Sequence, residues 1–512
     1  MNLKRLITAP AFVFALAACA GSWPEPMAYA ATAATTPAIN APWPPAWQTT
    51  PEPQTDFTPP RFEAPSAANC QRAPTTREVP GGQRQQPYEV SRRYKHEGAT
   101  ERDAAVSDSR SSGRADMVAK AAPAPAPAAA TTSAAAAAPA LNAARESASV
   151  FPQPQLQPTP RPSGSVVVTA GVVDDNADFG EYLAYRQRNG HQPVRDRDIS
   201  ERYLLEVTDA QGRPVHDAEV AVQRPGVASP VMWARTDTAG RVWLHPRAFI
   251  SADFNGERSL GVAVRKGGEQ ARATLLRGQS QAVQVRLGAQ RVAQRPRLDL
   301  VFMVDATGSM GDEIGKLKAS MRAMADQIAQ LPGQPDICYG LVAYRDRGDA
   351  FITRTHDLTN DLSAFQNLLS RVQAQGGGDT PEALNEALHE VVHGLSWRAD
   401  AARLVVLVAD APPHLDYGGP QYDSDMQAAL AKGIKLFAVG ASGLDPVGEY
   451  IFRQIAQYTA GRFVFLTYKD AVNPASGPGT QTVHDVKNYS VQTLDKLVVR
   501  LVSEEMARLV KS

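Results

Sequence analysis

The sequence predicts an open α/β sheet at its C-terminal end, preceded by a small all-β sandwich and a long irregular segment. Three observations support this fold class. After residue 297, strand-length apolar runs alternate with helical patterns; between 199 and 291, short period-two runs are separated by turn residues; from 19 to 163, Pro, Ala, Ser, Thr and Gln dominate. A chain of 512 residues is also too long for one hydrophobic core, so several units are expected.

Residues 1–18 have the pattern of an export signal, because Lys4 and Arg5 precede a short apolar stretch that ends at Cys19. The ending Leu-Ala-Ala-Cys resembles the lipobox of bacterial lipoproteins. That resemblance implies cleavage before Cys19 and acylation of this residue, which would anchor the chain to a membrane. Ala20 at the next position implies the outer membrane of the bacterial cell envelope, on its periplasmic or its surface face. The alternative is an ordinary secretory signal that contains a cysteine.

Residues 19–163 are predicted to be a disordered tether, because they offer too little apolar surface to offset the entropy of ordering. Residues 164–198 are predicted to be a short ordered connector. Two further cysteines, Cys70 in the tether and Cys338 in an apolar run, do not indicate a disulfide framework. Cys338 is expected to be a small buried apolar residue.

Residues 199–291 are predicted to form a small antiparallel β-sandwich, since alternating apolar runs are separated by turn sequences. The predicted strands are Tyr203–Val207, Ala218–Val222, Val242–Leu244, Leu260–Val264 and Ala282–Leu287. The phrases VTDAQGRPVHDAEV and RTDTAGRVWLHP resemble the carboxypeptidase-regulatory-like family of immunoglobulin-type sandwiches. That resemblance implies a structural or spacer module.

Residues 297–512 are predicted to form a doubly wound, mostly parallel sheet covered by helices. The predicted strands are Leu298–Val304, Ile337–Tyr344, Leu404–Ala409, Leu436–Val439 and Phe463–Leu466. The predicted helices are Gly311–Gln330, Leu362–Gln373, Pro381–Leu395, Tyr422–Lys432, Val447–Tyr458 and Gln492–Val510. Ligands of such sheets bind at the carboxyl ends of the strands, so residues just beyond those ends are the candidates for function.

Oxygen-bearing side chains follow two of these strands. Asp305, Thr307 and Ser309 occupy alternate positions of the turn after the first strand, and Asp410 comes directly after Leu404–Ala409. Carboxylates and hydroxyls are the ligands that a hard cation such as Mg²⁺ prefers. The pattern therefore indicates a divalent-metal site at this edge of the sheet.

Together with the loop Gly376–Glu382 and the pair Arg345-Asp346, these residues resemble the von Willebrand factor type A (vWA) family and its metal-ion-dependent adhesion site. The resemblance implies that Thr307 and Ser309 bind Mg²⁺, or Mn²⁺ or Ca²⁺, through their hydroxyls. It implies that Asp305 and Asp410 bind directly or through water. The family's third loop contributes one more ligand, for which Asp379 and Thr380 both stay candidates. Capping of the following helix is the alternative role for these two residues.

The function implied is protein binding rather than catalysis, with the metal bridging to an acidic residue of a partner protein. A formal net charge of zero gives no indication of a nucleic-acid partner. The identity of the partner, the biological process and the oligomeric state are not encoded in any recognisable pattern. A metal-indifferent scaffold in envelope assembly is the second hypothesis.

An enzymatic hypothesis rests on the phrase HEVVH, in which His389, Glu390 and His393 match the zinc-peptidase pattern His-Glu-x-x-His. The helix from Pro381 has an apolar stripe at helical spacing, made of Leu384, Ala387, Leu388, Val391, Val392 and Leu395. The motif is therefore expected on the opposite, solvent-facing side, and no further histidine follows nearby. Zinc peptidase activity is accordingly the least favoured of the three hypotheses, and His414 is expected to shape the rim of the metal loop.

Overall fold

The computed structural model describes residues 70, 72–82, 167–227, 229–249, 256–288 and 295–511. Its strands are β1 (Thr76–Pro80), β2 (Thr169–Val173), β3 (Tyr203–Thr208), β4 (Glu219–Gln223), β5 (Pro230–Arg235), β6 (Arg241–Leu244), β7 (Ser259–Lys266), β8 (Glu269–Leu276), β9 (Val283–Arg286), β10 (Arg297–Asp305), β11 (Asp336–Tyr344), β12 (Phe351–Thr359), β13 (Ala401–Ala409), β14 (Ile434–Gly440), β15 (Arg462–Asp470), β16 (Asn473–Pro478) and β17 (Ser490–Thr493). Its α-helices are α1 (Phe179–Arg188), α2 (Gly311–Ala329), α3 (Leu362–Ser370), α4 (Leu384–His389), α5 (Tyr422–Lys432), α6 (Pro446–Tyr458) and α7 (Leu494–Lys511). The predicted signal peptide and Cys19 lie outside the described residues.

A ten-stranded sheet organises the C-terminal half, in the order β1-β12-β11-β10-β13-β14-β15-β2-β17, with β16 paired to β15. The five central strands β11, β10, β13, β14 and β15 run parallel. This arrangement confirms the predicted α/β class and its mostly parallel sheet.

Both faces of the sheet are buried, which explains why its strands are nearly continuous apolar runs. Along β10, Leu298, Leu300 and Phe302 lie in the same core as the apolar residues of α2, α3 and α7. The intervening Val301 and Met303 lie in a second core with residues of α4, α5 and α6. The helices therefore fix the orientation of the strand ends from both sides.

Two segments from the N-terminal half are part of this sheet. β1 pairs antiparallel with β12, and β2 lies between β15 and β17. The prediction of a continuous disordered tether over 19–163 is therefore wrong for residues 72–82. The reason is that β12 offers an edge with unpaired backbone groups, and a remote segment can pair with it irrespective of sequence distance.

The interpretation of the cysteines is also wrong. Cys70 and Cys338 form a disulfide with a Cα–Cα distance of 5.8 Å, and the bond connects the segment before β1 to strand β11. Their 268-residue separation gave the sequence no signal of the pairing. Cys338 is fully buried, as predicted.

The β-rich segment between residues 203 and 286 forms two small sheets, ordered β6-β3-β9 and β5-β4-β7-β8. β3 and β9 pair in parallel, so the expectation of a wholly antiparallel sandwich is wrong. The segment contacts both the larger sheet and helix α7 through buried polar groups: Asp217 accepts from Arg403 of β13 at 2.9 Å, and Thr238 donates to Glu505 of α7 at 2.8 Å. Its resemblance to the immunoglobulin-type spacer family stays a prediction.

The helix predicted from Pro381 to Leu395 is divided in the structure. α4 ends at His389 and is followed by a π-helical turn over Glu390–Gly394. Strand β12, which the sequence analysis did not predict, lies between β1 and β11 in the sheet. Within the described residues, no helix is both long enough and apolar enough to cross a membrane.

Candidate metal centre

The first loop of the candidate site begins where β10 ends. Asp305 Oδ1 accepts hydrogen bonds from the backbone N–H of Thr307 at 2.9 Å and from its hydroxyl at 2.6 Å. Thr307 Oγ1 lies 3.0 Å from Ser309 Oγ. The turn therefore directs one carboxylate and two hydroxyls to one point, as the alternation of the sequence predicts.

The second loop begins where β13 ends. β10 and β13 are parallel neighbours in which Val304 is opposite Val408, so Asp305 and Asp410 follow the strands at almost the same level. The Ser309 hydroxyl donates to Asp410 Oδ1 at 3.1 Å. The structure thus brings Asp305, Thr307, Ser309 and Asp410 into one continuous network of oxygen atoms.

These four residues differ in their access to solvent. Asp305 and Thr307 are fully buried, and Asp410 is 8% exposed. Ser309 is exposed. The network therefore has a closed floor and an open side at Ser309, where a ligand from outside could approach.

The third loop is built from three successive glycines, all with positive φ: 80° at Gly376, 68° at Gly377 and 111° at Gly378. Gly376 O accepts from Gly308 N at 3.0 Å, which joins this loop to the first one. The two predicted candidates of this loop, Asp379 and Thr380, are both exposed. Ligation by either of them stays a prediction.

Glu382 is the acidic residue of this loop that lies in the site, and the sequence analysis did not include it among the ligands. It is only 2% exposed. A Cβ built on Gly377 would lie 2.8 Å from Glu382 Oε1 and 3.1 Å from Thr307 Cβ, so the carboxylate and Thr307 flank the same point of the backbone. The sequence signal that could have identified Glu382 as a candidate was its place directly after Pro381 in this loop.

The site concentrates negative charge in a buried place. Burial and the charge of Asp410 raise the pKa of Asp305, and burial raises the pKa of Asp410. Burial and four neighbouring carboxylates, with Asp305 the strongest, raise the pKa of Glu382 to about 9. Asp305 Oδ2 and Glu382 Oε2 are buried and accept no hydrogen bond from the described residues.

These features fit a bound cation. The donors are all oxygens, two of them have no partner, and the repulsion among the carboxylates would be relieved by positive charge at their common point. Mg²⁺ requires such a hard, oxygen-rich set of ligands, usually completed by water.

The rim of the site is held by two basic residues. Arg345 donates to Ala306 O at 3.2 Å and to Gln373 O at 3.0 Å, so one guanidinium connects the first loop to the segment before the glycines. His414 Nε2 lies 2.9 Å from Asp346 Oδ1. Burial alone would lower the pKa of His414, but the contacts with Asp346 and Asp416 together outweigh it and the pKa is raised.

The residues of the HEVVH phrase lie differently from the prediction. His389 and His393 are each about a quarter exposed, with side-chain exposures of 25% and 24%. Glu390 is fully buried and forms an ion pair with Arg77. The expectation of a solvent-facing Glu390 is wrong because β1 and β12 cover that side of the helix.

Comparison with known proteins finds a match over the part of the chain that contains the candidate site. The von Willebrand factor type A domain family matches residues 299–472. Von Willebrand factor A domain-containing protein 7 of Homo sapiens is 37% identical over 93 residues, which are 18% of this chain and 10% of that protein. Integrin beta-6 of Rattus norvegicus is 23% identical over 260 residues, 46% of this chain and 30% of the integrin.

A relative of another class also matches part of this chain. Alpha-protein kinase vwkA of Dictyostelium discoideum is 30% identical over 129 residues, 25% of this chain and 20% of the kinase. The chain therefore spans a fifth or less of the length of this kinase and of domain-containing protein 7. Domains of this family typically mediate protein–protein interaction and often bind a divalent metal, as in integrins. Residues 299–472 of this chain are thus similar to von Willebrand factor type A domains.

Proposed function

We propose that the vWA domain binds a protein partner through a divalent metal ion held by Asp305, Thr307, Ser309 and Asp410. The observation that carries this proposal is the continuous oxygen network from Asp305 to Asp410, with its buried floor and exposed Ser309. When bound, the metal supplies a positive charge with an open coordination position that attracts a carboxylate of the partner.

The residues of the proposed site contribute to metal binding in different ways. The two aspartates supply negative charge, and the two hydroxyls are neutral donors that leave the ion with residual positive charge. Glu382 lies beside Thr307 and its carboxylate is available either to the ion or to one of its waters. Asp379 and Thr380 remain alternatives on the exposed side of the same loop.

The ion itself is Mg²⁺ in this proposal, with Mn²⁺ and Ca²⁺ as substitutes. Support comes from the donor set, since every contributing atom is an oxygen and hydroxyls alternate with carboxylates. A softer metal would favour nitrogen or sulfur ligands, which the four residues do not provide.

The location proposed is the bacterial cell envelope, with the chain anchored by lipid at Cys19, in the outer membrane. Cys19 lies outside the described residues, and the proposal depends on the basic start and the lipobox-like ending of residues 1–18. The disulfide between Cys70 and Cys338 supports export from the cytoplasm, because disulfides persist in exported proteins and are rare in reducing compartments.

The test is a binding experiment in the native envelope. The full chain and its Asp305→Ala variant are crosslinked to neighbouring proteins with Mg²⁺ or with EDTA, and the thermal stability of both purified chains is measured under the same conditions. We expect Mg²⁺ to raise the melting temperature of the wild type and to be required for crosslinking, and we expect the variant to lose both effects.

Two results would contradict the proposal. Crosslinked partners that survive EDTA and Asp305→Ala would indicate a metal-indifferent scaffold. A wild-type melting temperature that does not respond to Mg²⁺, Mn²⁺ or Ca²⁺ would show that the four residues hold no ion.

If Mg²⁺ does bind, Asp379→Ala and Glu382→Gln test which residue of the third loop is a ligand. The variant that weakens Mg²⁺ binding identifies it.

A further inference from the structure

A second group of metal-binding side chains lies away from the strand ends. His389 is the last residue of α4, His393 lies in the following π-helical turn, and Asp425 is in the first turn of α5. Asp425 Oδ1 is 3.1 Å from His389 Nδ1 and 2.9 Å from His393 Nε2. One potential ligand atom of each residue lies within 4.8 Å of the others.

The surroundings leave the carboxylate directed at the two imidazoles. The side chain of Asp425 is 5% exposed, so its charge is almost removed from water. Arg195 and Arg197 pair with Asp423 on the same helix, each at 2.6 Å. The Lys432 ammonium donates to the backbone oxygen of Val392 at 2.7 Å.

The glutamate of the phrase does not face this group. Glu390 is ion-paired with Arg77 and accepts a hydrogen bond from the Thr355 hydroxyl at 3.2 Å. Thr355 lies on β12, on the other side of the helix from Asp425. The general base that a zinc peptidase requires is therefore held away from the two histidines, and the group has the ligands of a metal site without the machinery for hydrolysis.

We propose that His389, His393 and Asp425 bind one Zn²⁺ ion that connects the end of α4 to the start of α5. Two imidazole nitrogens and one carboxylate oxygen are a ligand set that zinc accepts in tetrahedral sites. With metal–ligand bonds of about 2.0–2.1 Å, tetrahedral ligands are about 3.3 Å apart, close to the separations of Asp425 Oδ1 from the two rings.

Binding requires only a local rearrangement. Each ring nitrogen that faces Asp425 must present a lone pair, so its proton moves to the other nitrogen of the same ring. The quarter exposure of both histidines gives the ion a route from solvent and leaves the fourth position to water or to a partner's side chain.

This site is independent of the strand-end site, and its test can be separated from it. The untagged full chain, freed of metal and carrying Asp305→Ala, is titrated with Zn²⁺ against a chromophoric chelator. We expect one equivalent of zinc to bind. His389→Gln and Asp425→Asn should each weaken binding by about 100-fold or more, since loss of a supporting residue alone costs about 10–100-fold.

His191→Gln is the matched control, because His191 is an exposed histidine outside the cluster. It should leave zinc affinity unchanged. Unchanged affinity in the His389→Gln, His393→Gln double variant, or no bound equivalent in the folded wild type, would overturn the proposal.

A measurement on the wild type keeps the test decisive if a variant does not fold. Co²⁺ added to the metal-free chain should give the visible absorption of a four-coordinate site, and one equivalent of Zn²⁺ should abolish it. X-ray absorption of the zinc form should show two imidazole ligands. A zinc spectrum without imidazole scattering would place the ion elsewhere and reject the site.

Discussion

The two ends of strand β10 each carry a fully buried aspartate, and the two residues have opposite surroundings. At the amino end, Asp299 Oδ1 accepts from Arg398 Nε at 2.7 Å, and its Oδ2 accepts from Arg398 N at 2.8 Å. At the carboxyl end, Asp305 lies beside Asp410, with Glu382 nearby, and its Oδ2 accepts no hydrogen bond from the described residues. One strand thus has a neutralised carboxylate at one end and an uncompensated group of carboxylates at the other.

This difference distinguishes a structural ion pair at the amino end of β10 from the candidate metal site at its carboxyl end. A buried carboxylate that is paired with an arginine stabilises the fold only while its partner is present. A buried group of carboxylates is destabilising while it is ionised, so it takes up protons or gains from a bound cation. We therefore expect the carboxyl end to be stabilised by a bound cation, whereas the amino end has the Arg398 guanidinium.

The largest expected effect comes from removing the internal cation at the amino end. Arg398→Met keeps most of the side-chain volume but leaves Asp299 buried without its partner, and the free energy of unfolding should fall by about 3–5 kcal/mol. Mg²⁺ should not restore it. The measurement is urea unfolding of the purified chain with and without Mg²⁺.

The exposed pair Arg241–Glu206 provides the control, since Arg241 is 56% exposed and Arg241→Met should change stability by less than about 1 kcal/mol. Adding Asp299→Asn to Arg398→Met should recover part of the loss, because the uncompensated charge is then removed. A fall no larger than that of the control would show that the Asp299–Arg398 pair is not the difference between the two ends.

An intermediate effect is expected from pH at the carboxyl end. Folding raises the pKa of Glu382 from its ordinary 4.5 to about 9, so between these values the native state binds more protons than the unfolded state. In EDTA the contribution of Glu382 to stability is therefore fully present below pH 4.5 and is lost as pH rises toward 9, which should lower the melting temperature by several degrees. The raised pKa of Asp305 likewise makes the stability fall as pH rises.

Mg²⁺ should oppose this loss, since it stabilises the ionised carboxylates of the native state. The difference in melting temperature between Mg²⁺ and EDTA should thus grow with pH over the same range. Glu382→Gln removes the strongest titrating group and should flatten the EDTA profile. A difference that is constant with pH, in wild type and variant alike, would contradict the assignment of uncompensated charge to this end.

The placement of the strand-end residues could be predicted from sequence because it depends on local geometry. Parallel strands end at one edge, and alternate residues of a tight turn point the same way, so Asp305, Thr307 and Asp410 are determined by two short phrases. Glu382 could not be ranked in this way. Its position depends on three glycines with positive φ that turn the loop back, and Asp379 and Thr380 looked equally suitable.

Contacts between distant segments could not be predicted either, because they also depend on more than a local sequence pattern. The pairing of β1 with β12, the disulfide of Cys70 and the meeting of Asp425 with His389 all join residues without any shared local pattern. Helix α5, by contrast, was predicted with its observed bounds, because its limits are encoded within its own sequence and the glycine that follows it.

The smallest effect should come from a single methyl group in the third loop. Gly377→Ala places a Cβ 2.8 Å from Glu382 Oε1 and 3.1 Å from Thr307 Cβ, so both side chains must shift. Gly212→Ala is the matched control: its φ of 78° is close to the 68° of Gly377, but a Cβ there meets nothing within 4 Å.

Both variants should lose about 1 kcal/mol of stability in EDTA from backbone strain. Only Gly377→Ala should also weaken Mg²⁺ binding, by about tenfold or 1.4 kcal/mol, in calorimetric titration. Equal Mg²⁺ affinities in the two variants would mean that Glu382 and Thr307 do not shape the carboxyl-end site together.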